Sequence, residues 1–263
     1  MRSADPLRYI LWCGVAATAA RNRKEYGVPT AWLTHLLGNT VTLFLPDLLR
    51  IARARSPGKP PTDSTVRALL RTLDRRVRQD PNYAAYVAPL AIGFIASHPD
   101  YSIYHGRWAE RTILGFGADS VPHAAAAYAL ARLVSETVRT LHEELPTTAP
   151  LVRQVAWAAQ YVDELAAAAV TVVTIIWEVS EYLAHIAELE ATGRDASEIN
   201  MQWSLPDAIT DSFSNLLGLL AAIAVRRSKE RIRHRAERSG WCGVAAGDHR
   251  TTFAAVVHDG AAP

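Results

Sequence analysis

Five acids, two histidines and an amide recur at helical spacing in the second half of the chain. Glu178 and Glu181 are one turn apart, and His185 follows one turn later. Asp207, Asp211 and Asn215 step at i, i+4 and i+8, and Gly218 continues the line. Asp119 and His123 are again four residues apart. Such spacing puts each set on one helix face. Carboxylate oxygens with imidazole nitrogen can hold a divalent cation such as Zn²⁺, Mn²⁺ or Mg²⁺. They can also pass protons, with one acid serving as general base. The spacing matches no standard zinc signature.

The elements that carry these residues have an unusual balance of faces. Gln160, Asp163, Thr171, Thr174, Glu178, Glu181 and His185 fall within an arc of roughly 80° on a helix of 100° per residue. Leu165, Val170, Val172, Val173, Ile175, Ile176, Trp177 and Val179 cover the rest. In the next helix Leu216, Leu217, Leu219, Leu220, Ile223 and Val225 surround the Asp207–Gly218 line. A soluble surface helix has a narrow apolar face and a wide polar one. Here the proportions are reversed, as suits a helix surrounded by lipid or protein with one polar line turned inward.

Composition alone does not separate these two surroundings. Hydrophobic residues make up 49% of the 263 and charged residues 21%, and the mean hydropathy of +0.01 lies between membrane and soluble values. The distribution of charge is more telling. Residues 26–46 and 81–99 carry no Asp, Glu, Lys or Arg, and 121–138 carry only Arg132 and Glu136. With the two central helices these make five candidate spans. A span needs about 20 mainly apolar residues, and only the first run is both long and free of charge, so several are imperfect. Residues 6–20 read as a short further span or as a signal sequence, with Ala17-Thr18-Ala19 loosely like a cleavage site. The competing expectation is a soluble helical bundle with buried polar stripes. A net charge of +2 gives no sign of a nucleic-acid partner. Two cysteines, Cys13 and Cys242, make no disulfide framework. Each sits in a copy of Trp-Cys-Gly-Val-Ala-Ala, to which no function is assigned.

Basic residues set the expected topology. Arg50, Arg53, Arg55 and Lys59 open a connection over 50–80. Within it, 64–78 reads as an amphipathic helix. Val66, Leu69, Leu70, Leu73 and Val77 lie on one face and Arg67, Arg71, Arg75 and Arg78 on the other. Such a helix suits anionic lipid headgroups, and equally an ordinary bundle surface. A second basic run, Arg226 to Arg238, follows the last span. The positive-inside rule puts both runs in the cytoplasm, and the four spans between them agree. The loops 99–119 and 186–206 then face outward, and the aromatics Tyr101, Tyr104 and Trp108 suit the membrane boundary. Arg21, Arg23 and Lys24 are the exception, because a first span would leave them outside.

This topology brings the polar residues to one depth. Glu178, Glu181 and His185 sit at the outer end of their helix, and Asp207 and Asp211 at the outer start of the next. Asp119 and His123 open a third from the same side, and His35 and Asn39 a fourth. Each has a plainer reading: the glutamates reach the interface, the histidines are structural, and Asp207 is a first-turn acid favoured by the helix dipole. Asp211 and Asn215 continue the line inward and resist that reading. Ionisable groups at membrane depth cost a few kcal/mol each and usually pair, bind an ion or line a path.

Glu178-x-x-Glu181, a loop, then Asp207-x-x-x-Asp211-x-x-x-Asn215-x-x-Gly218 resembles the YjdF-like bacterial inner-membrane proteins. It is similar, more distantly, to the VanZ-like family, in which an acid on one span precedes an Asp-x-x-x-Asn-x-x-Gly pattern on the next. The entry Gly115-Phe116-Gly117-Ala118-Asp119-Ser120-Val121-Pro122-His123 fits the same kind of protein. The resemblance covers roughly 110–226. It implies a small multi-helix protein of the bacterial inner membrane and supplies no reaction.

The expected fold is therefore all-α, a polytopic membrane bundle of five or six spans over 1–226, with a basic cytoplasmic tail over 227–263. The expected site is Glu178, Glu181, Asp207 and Asp211, with His185 and His123 as further metal ligands and Asp119, Asn215, His35 and Asn39 beside them. Two functions remain open. One is a metal-assisted hydrolase or transferase on a lipid or envelope substrate near the outer leaflet. The other is an ion- or proton-coupled transporter or accessory membrane protein. A polar line running deep along the helix favours transport, and a cluster at the outer end favours an enzyme.

Overall fold

The computed structural model describes residues 6–55, 83–104, 115–196 and 198–238, with Thr72, Asp74, Val77, Trp108 and 111–113 besides. Apart from Thr72, Asp74 and Val77, the amphipathic helix expected at 64–78 lies outside the described residues. So do the second Trp-Cys-Gly-Val-Ala-Ala copy and the tail past Arg238. The chain is all-helical, and the described residues contain no strand beyond one isolated bridge between Ile113 and Phe116. In chain order the helices are α1 (Pro6–Tyr26), α2 (Pro29–Arg55), α3 (Tyr83–Ile95), α4 (Ser120–Glu144), α5 (Val152–Gln160), α6 (Val162–Thr192) and α7 (Leu205–Arg238). Two compact units divide the chain at Ile223 and Ala224. One stretch of α7 is long and apolar enough to cross a membrane by length and composition, the only such helix among the described residues.

Boundaries differ from expectation at four places. Helix α3 keeps only 13 residues of the expected 81–99 span. Gln160 ends α5 instead of opening the central helix. The two further differences have a local reason. The sequence expects α2 to end near Pro46, but it continues to Arg55. Proline lacks the N–H that would bond the carbonyl four residues back, which is Thr42. The Tyr83 hydroxyl of α3 donates to that carbonyl instead, at 2.5 Å, so the helix loses no acceptor partner at the break. The outer loop expected to begin near 186 begins at Gly193, where a left-handed φ of 62° ends α6. The extra turns of α6 are fixed by Glu188, 1% exposed. Its carboxylate accepts from Thr30 Oγ1 at 2.8 Å and from the Met201 backbone N–H at 3.0 Å.

Side-chain contacts fix which helix ends lie together. Arg8 donates to the Leu43 carbonyl and to Asp47, so the start of α1 meets the later half of α2. At the opposite end Asn22 donates to the Ala31 carbonyl at 3.1 Å. The Tyr86 hydroxyl near the start of α3 donates to Glu136 of α4. Gly93 near the end of α3 lies against Pro122 near the start of α4. One end of the bundle therefore gathers the α1–α2 turn, the loop after α3, the start of α4, the end of α6 and the start of α7.

Two apolar clusters hold the bundle. Leu11, Val15, Leu43, Val87, Ala91 and Phe94 join α1, α2 and α3. Ala127, Ala131, Ala166, Val170, Leu219 and Ala222 join α4, α6 and α7. The second is built mostly of alanine, which lets helix backbones approach closely. The approach is closest at Gly218. A Cβ there would lie 2.0 Å from the Ala124 carbonyl oxygen.

The polarity of the surface is inverted. Asp211 is 3% exposed and Asn215 8%, whereas Ile176 is 60% exposed and Ile209 62%. Val172, Val173, Ile175, Val179 and Leu183 of α6 are also exposed, as are Phe213, Leu216, Leu217 and Leu220 of α7. From Thr174 to His185 on α6 and from Asp207 to Gly218 on α7 the polar lines are partly or fully buried and the wide apolar faces are exposed. Gln160, the last residue of α5, and Thr171 are themselves exposed.

Gly218→Ala forces a methyl group onto backbone that cannot rotate away. The expected cost is about 1–3 kcal/mol, the range for overpacking, seen as a lower unfolding midpoint in detergent. Gly38→Ala meets nothing within 4 Å and is expected to be neutral or to stabilise by about 0.5–1 kcal/mol. Equal behaviour of the two variants would show that α7 is not held against α4 by backbone proximity.

Candidate metal centre

The acidic cluster forms where the starts of α4 and α7 meet the later part of α6. Asp119 precedes α4 and caps it, its Oδ1 accepting from the Ser120 N–H at 2.8 Å. Gly117 makes room for that carboxylate, because a Cβ there would lie 2.4 Å from Asp119 Oδ1. Gly115 takes a left-handed φ of 85° in the turn before it. That turn is tied to α7 by Phe116, whose ring lies 5.9 Å from Phe213.

Two overlapping triads of acids result. Carboxylate oxygens of Asp119, Asp207 and Asp211 all lie within 4.8 Å of one another, and so do those of Glu178, Glu181 and Asp211. Asp211 belongs to both. Its Oδ2 is 3.3 Å from His123 Nε2, and its Oδ1 is buried without a hydrogen-bond partner. Both oxygens of Glu178 are likewise buried without one. The Trp203 indole N–H acts on the Glu178 carboxylate, but neither group closes a hydrogen bond of good geometry.

Coulomb's law shows what the triads require. Two unit charges 4.8 Å apart repel by about 3 kcal/mol at an effective dielectric constant of 20. Three such pairs in one triad approach about 10 kcal/mol, comparable with the whole folding stability of a domain. Among the described residues, His123 is the one basic side chain in ion-pair reach of the five acids. Protons or a cation must supply the rest. An oxygen-rich set of this kind suits hard cations, Mg²⁺ or Mn²⁺ before Zn²⁺. His123 orients the Asp211 carboxylate in the way an outer-shell partner orients a metal ligand.

The other expected residues are placed apart from this cluster or beneath it. Asn215 donates to Thr174 Oγ1 at 3.0 Å, one turn deeper than Asp211 and Glu178. The expectation of His185 as a ligand meets a different arrangement. Its Nδ1 lies 2.8 Å from the Met201 carbonyl and 3.4 Å from the Trp203 N–H, so the ring braces the α6–α7 loop. His35 stacks on Phe94, with centroids 4.7 Å apart, in the α1–α2–α3 half. Asn39 donates to the His35 carbonyl of its own helix. These two share the depth of the acids and not their location, because a helical register fixes height and leaves the facing neighbour open.

Three residues join the neighbourhood that spacing alone did not single out. The Tyr104 hydroxyl donates to the Gly93 carbonyl at 3.2 Å and lies within electrostatic reach of Asp119, Glu181, Asp211 and Asp207. Trp203 packs edge-on against Tyr182 beside Glu178. Glu188 lies on the same α6 face, one turn past His185, and the 178-181-185-188 spacing is its sequence signal. Tyr104 and Trp203 come from loops, where no periodicity points to them.

No family model, curated protein or solved structure matches this chain.

Asp211→Asn keeps the volume and removes the charge both triads share. In chelator-treated protein the variant is expected to unfold at a higher temperature than wild type, because repulsion is relieved. With Mn²⁺ added the order should reverse, because wild type gains binding energy that the variant cannot. A variant less stable than wild type in both conditions would mean that the His123 contact outweighs the repulsion.

Proposed function

We propose that the chain is a six-span protein of the bacterial inner membrane. In this reading its outer end holds a divalent cation for hydrolysis or group transfer on a lipid or envelope substrate. The observation that carries the reading is the convergence of five carboxylates at one end of a bundle whose exposed faces are apolar. In water, each exposed Ile or Leu forgoes roughly 1 kcal/mol or more of transfer free energy. A lipid surround restores it. The six spans would be α1, α2, α3, α4, α6 and α7, of which α3, at 13 residues, is shorter than a full crossing and needs the turns beside it to complete one. At 1.5 Å per residue Glu181 lies about 28 Å along α6 from Val162, close to the thickness of a hydrocarbon core. The resemblance to YjdF-like and VanZ-like proteins, carried by the Glu178–Gly218 residues, agrees with this placement.

Charged residues along the spans are paired in ways that suit it. Arg132 pairs with Glu136 one turn away, and the Tyr86 hydroxyl joins the same carboxylate group. Arg8 pairs with Asp47 at 2.8 Å. Arg21, the outward exception to the positive-inside rule, is shared between Glu25 and Asp100. The guanidinium holds the Asp100 carboxyl below its usual range. Arg23 and Lys24 share the exception, and pairing with acids does not remove it, because the rule counts Lys and Arg and not net charge.

Packing beneath the cluster supports an enzyme over a conducting path. Below the Asn215–Thr174 hydrogen bond the interface between α4, α6 and α7 is Ala127, Ala131, Ala166, Val170, Leu219 and Ala222. The buried residues of that cluster are all aliphatic, and the Tyr128–Arg132–Glu136 group packed beside it is engaged in its own hydrogen bonds. A bound cation would acidify a coordinated water and polarise a substrate oxygen. Glu178, with both oxygens lacking hydrogen-bond partners, is placed to accept the proton released when water attacks. Asp119, Asp207 and Asp211 would hold the ion, and Glu181 stands beside Glu178 in the neighbouring triad. The outer position gives access to a headgroup in the adjacent leaflet.

Metal analysis of detergent-purified protein should find a divalent cation in wild type and little in Asp211→Asn. Metal-free wild type that stays folded and takes up no Mn²⁺ or Mg²⁺ would overturn the cation reading. With Cys13 and Cys242 replaced, a cysteine at Arg194 should react with an impermeant thiol reagent from outside, and a reporter after Arg238 should be cytoplasmic. Recovery of the protein as a soluble monomer without detergent would overturn the membrane reading.

A further inference from the structure

We infer that the acidic centre takes two divalent cations side by side, with Asp211 as the carboxylate shared between them. The inference rests on the cation reading above and adds its stoichiometry and the assignment of each acid, with Glu178 a ligand of the second ion instead of the proton acceptor. The five acids do not form one ring around one point. They form two triads, Asp119–Asp207–Asp211 and Glu178–Glu181–Asp211, that meet at a single side chain. Each triad draws on a different helix. Asp207 and Asp211 are one turn apart on α7, with Asp119 from the loop before α4. Glu178 and Glu181 are one turn apart on α6. A carboxylate has two oxygens and can serve an ion with each. Asp211 is 3% exposed, and its Oδ1 has no hydrogen-bond partner. A buried carboxylate oxygen without a partner is a costly arrangement unless something else binds it.

Charge arithmetic points the same way. Five carboxylates carry a charge of about −5 when ionised, so one dication would leave about −3 in a poorly solvated place and two would leave about −1. His123, 3.3 Å from Asp211 Oδ2, can offset the remainder when protonated. One ion would also leave the acids of one triad facing each other uncompensated. Two adjacent ions, about 3.5–4 Å apart in such centres, clamp the attacking and leaving oxygens of a phosphoryl or related ester. A phosphate-ester or pyrophosphate-linked substrate is the class this arrangement serves.

The test uses full-length protein in detergent, stripped of metal and titrated with Mn²⁺. Wild type is expected to bind two Mn²⁺ per chain and to give the paramagnetic resonance spectrum of a spin-coupled pair. Asp119→Asn and Glu181→Gln should each keep one ion and lose the coupling, since each weakens one triad. Asp211→Asn should weaken both ions, and His123→Gln should lower affinity by about 10-fold or more without changing the stoichiometry. Circular dichroism and gel filtration in detergent establish that each variant is folded, and the wild-type stoichiometry stands independently of any variant. One Mn²⁺ per chain, uncoupled and weakened alike by all three acid substitutions, would overturn the two-ion assignment and leave the single-cation reading in place. No Mn²⁺ bound by folded wild type would overturn both.

Discussion

The close approach of α7 to α4 is the contact on which the acidic centre depends. At Gly218 the α7 backbone runs against the Ala124 carbonyl with no room for a side chain. His123 is the residue before Ala124, and Asp211 lies two turns back along α7 from Gly218. Fixing the backbones at one level therefore fixes the His123–Asp211 contact at another, because both helices are stiff. Alanines 127, 131, 166 and 222 extend the close packing downward. With mostly alanine between the backbones, the acids of α6 and α7 meet across the interface. The glycine in the line of acids and amides is thus a packing residue, and it sets the geometry of the residues that do chemistry.

Charge is managed in two different ways within the same fold. Arg8 with Asp47, Arg132 with Glu136 and Arg226 with Glu230 are each a cation beside an anion. Such pairs reduce the cost of placing charge out of bulk water, although they add little net stability. At the end of the bundle where α4 and α7 begin, five acids meet and one histidine answers them. Repulsion at that level is comparable with the stability of a domain, so the folded arrangement is complete only with protons or cations. That counter-charge can come as protons held by the acids themselves or as a bound cation. The same recruitment couples ligand to folding, because binding energy is then also stability.

The position of that site relative to the rest of the bundle bears on what it can do. Turns at Gly115 and Gly193, both with positive φ, bring loops over the ends of α4 and α6. Phe116 against Phe213, and Trp203 against Tyr182, pack these loops onto the helices that carry the acids. Beneath, the Asn215–Thr174 hydrogen bond is the last polar contact before an apolar interface. Chemistry here would be carried out on something that arrives at the end of the bundle, from the leaflet or from outside it.

Much of this was written into the order of residues. The spacing of Glu178, Glu181, Asp207, Asp211 and Asn215 determined that each helix has one polar line, because 3.6 residues per turn leaves no choice. The wide apolar faces determined that the helices need a nonaqueous or buried surround. Both are one-dimensional facts about periodicity, and the all-helical fold follows from them. Partnership across helices was settled only by the tertiary structure. His35 and Asn39 match the acids in depth, yet His35 lies on Phe94. His185 sits on the polar line but turns to the loop backbone, because the extra turns of α6 and the Glu188 contacts bring Met201 and Trp203 over it. Pro46 signals a helix end by itself, and only the Tyr83 hydroxyl, from a different helix, lets α2 pass it. A sequence fixes the face a residue occupies through local geometry. The group it meets depends on how closely two backbones approach, and that was decided by the glycine and alanines packed between the helices.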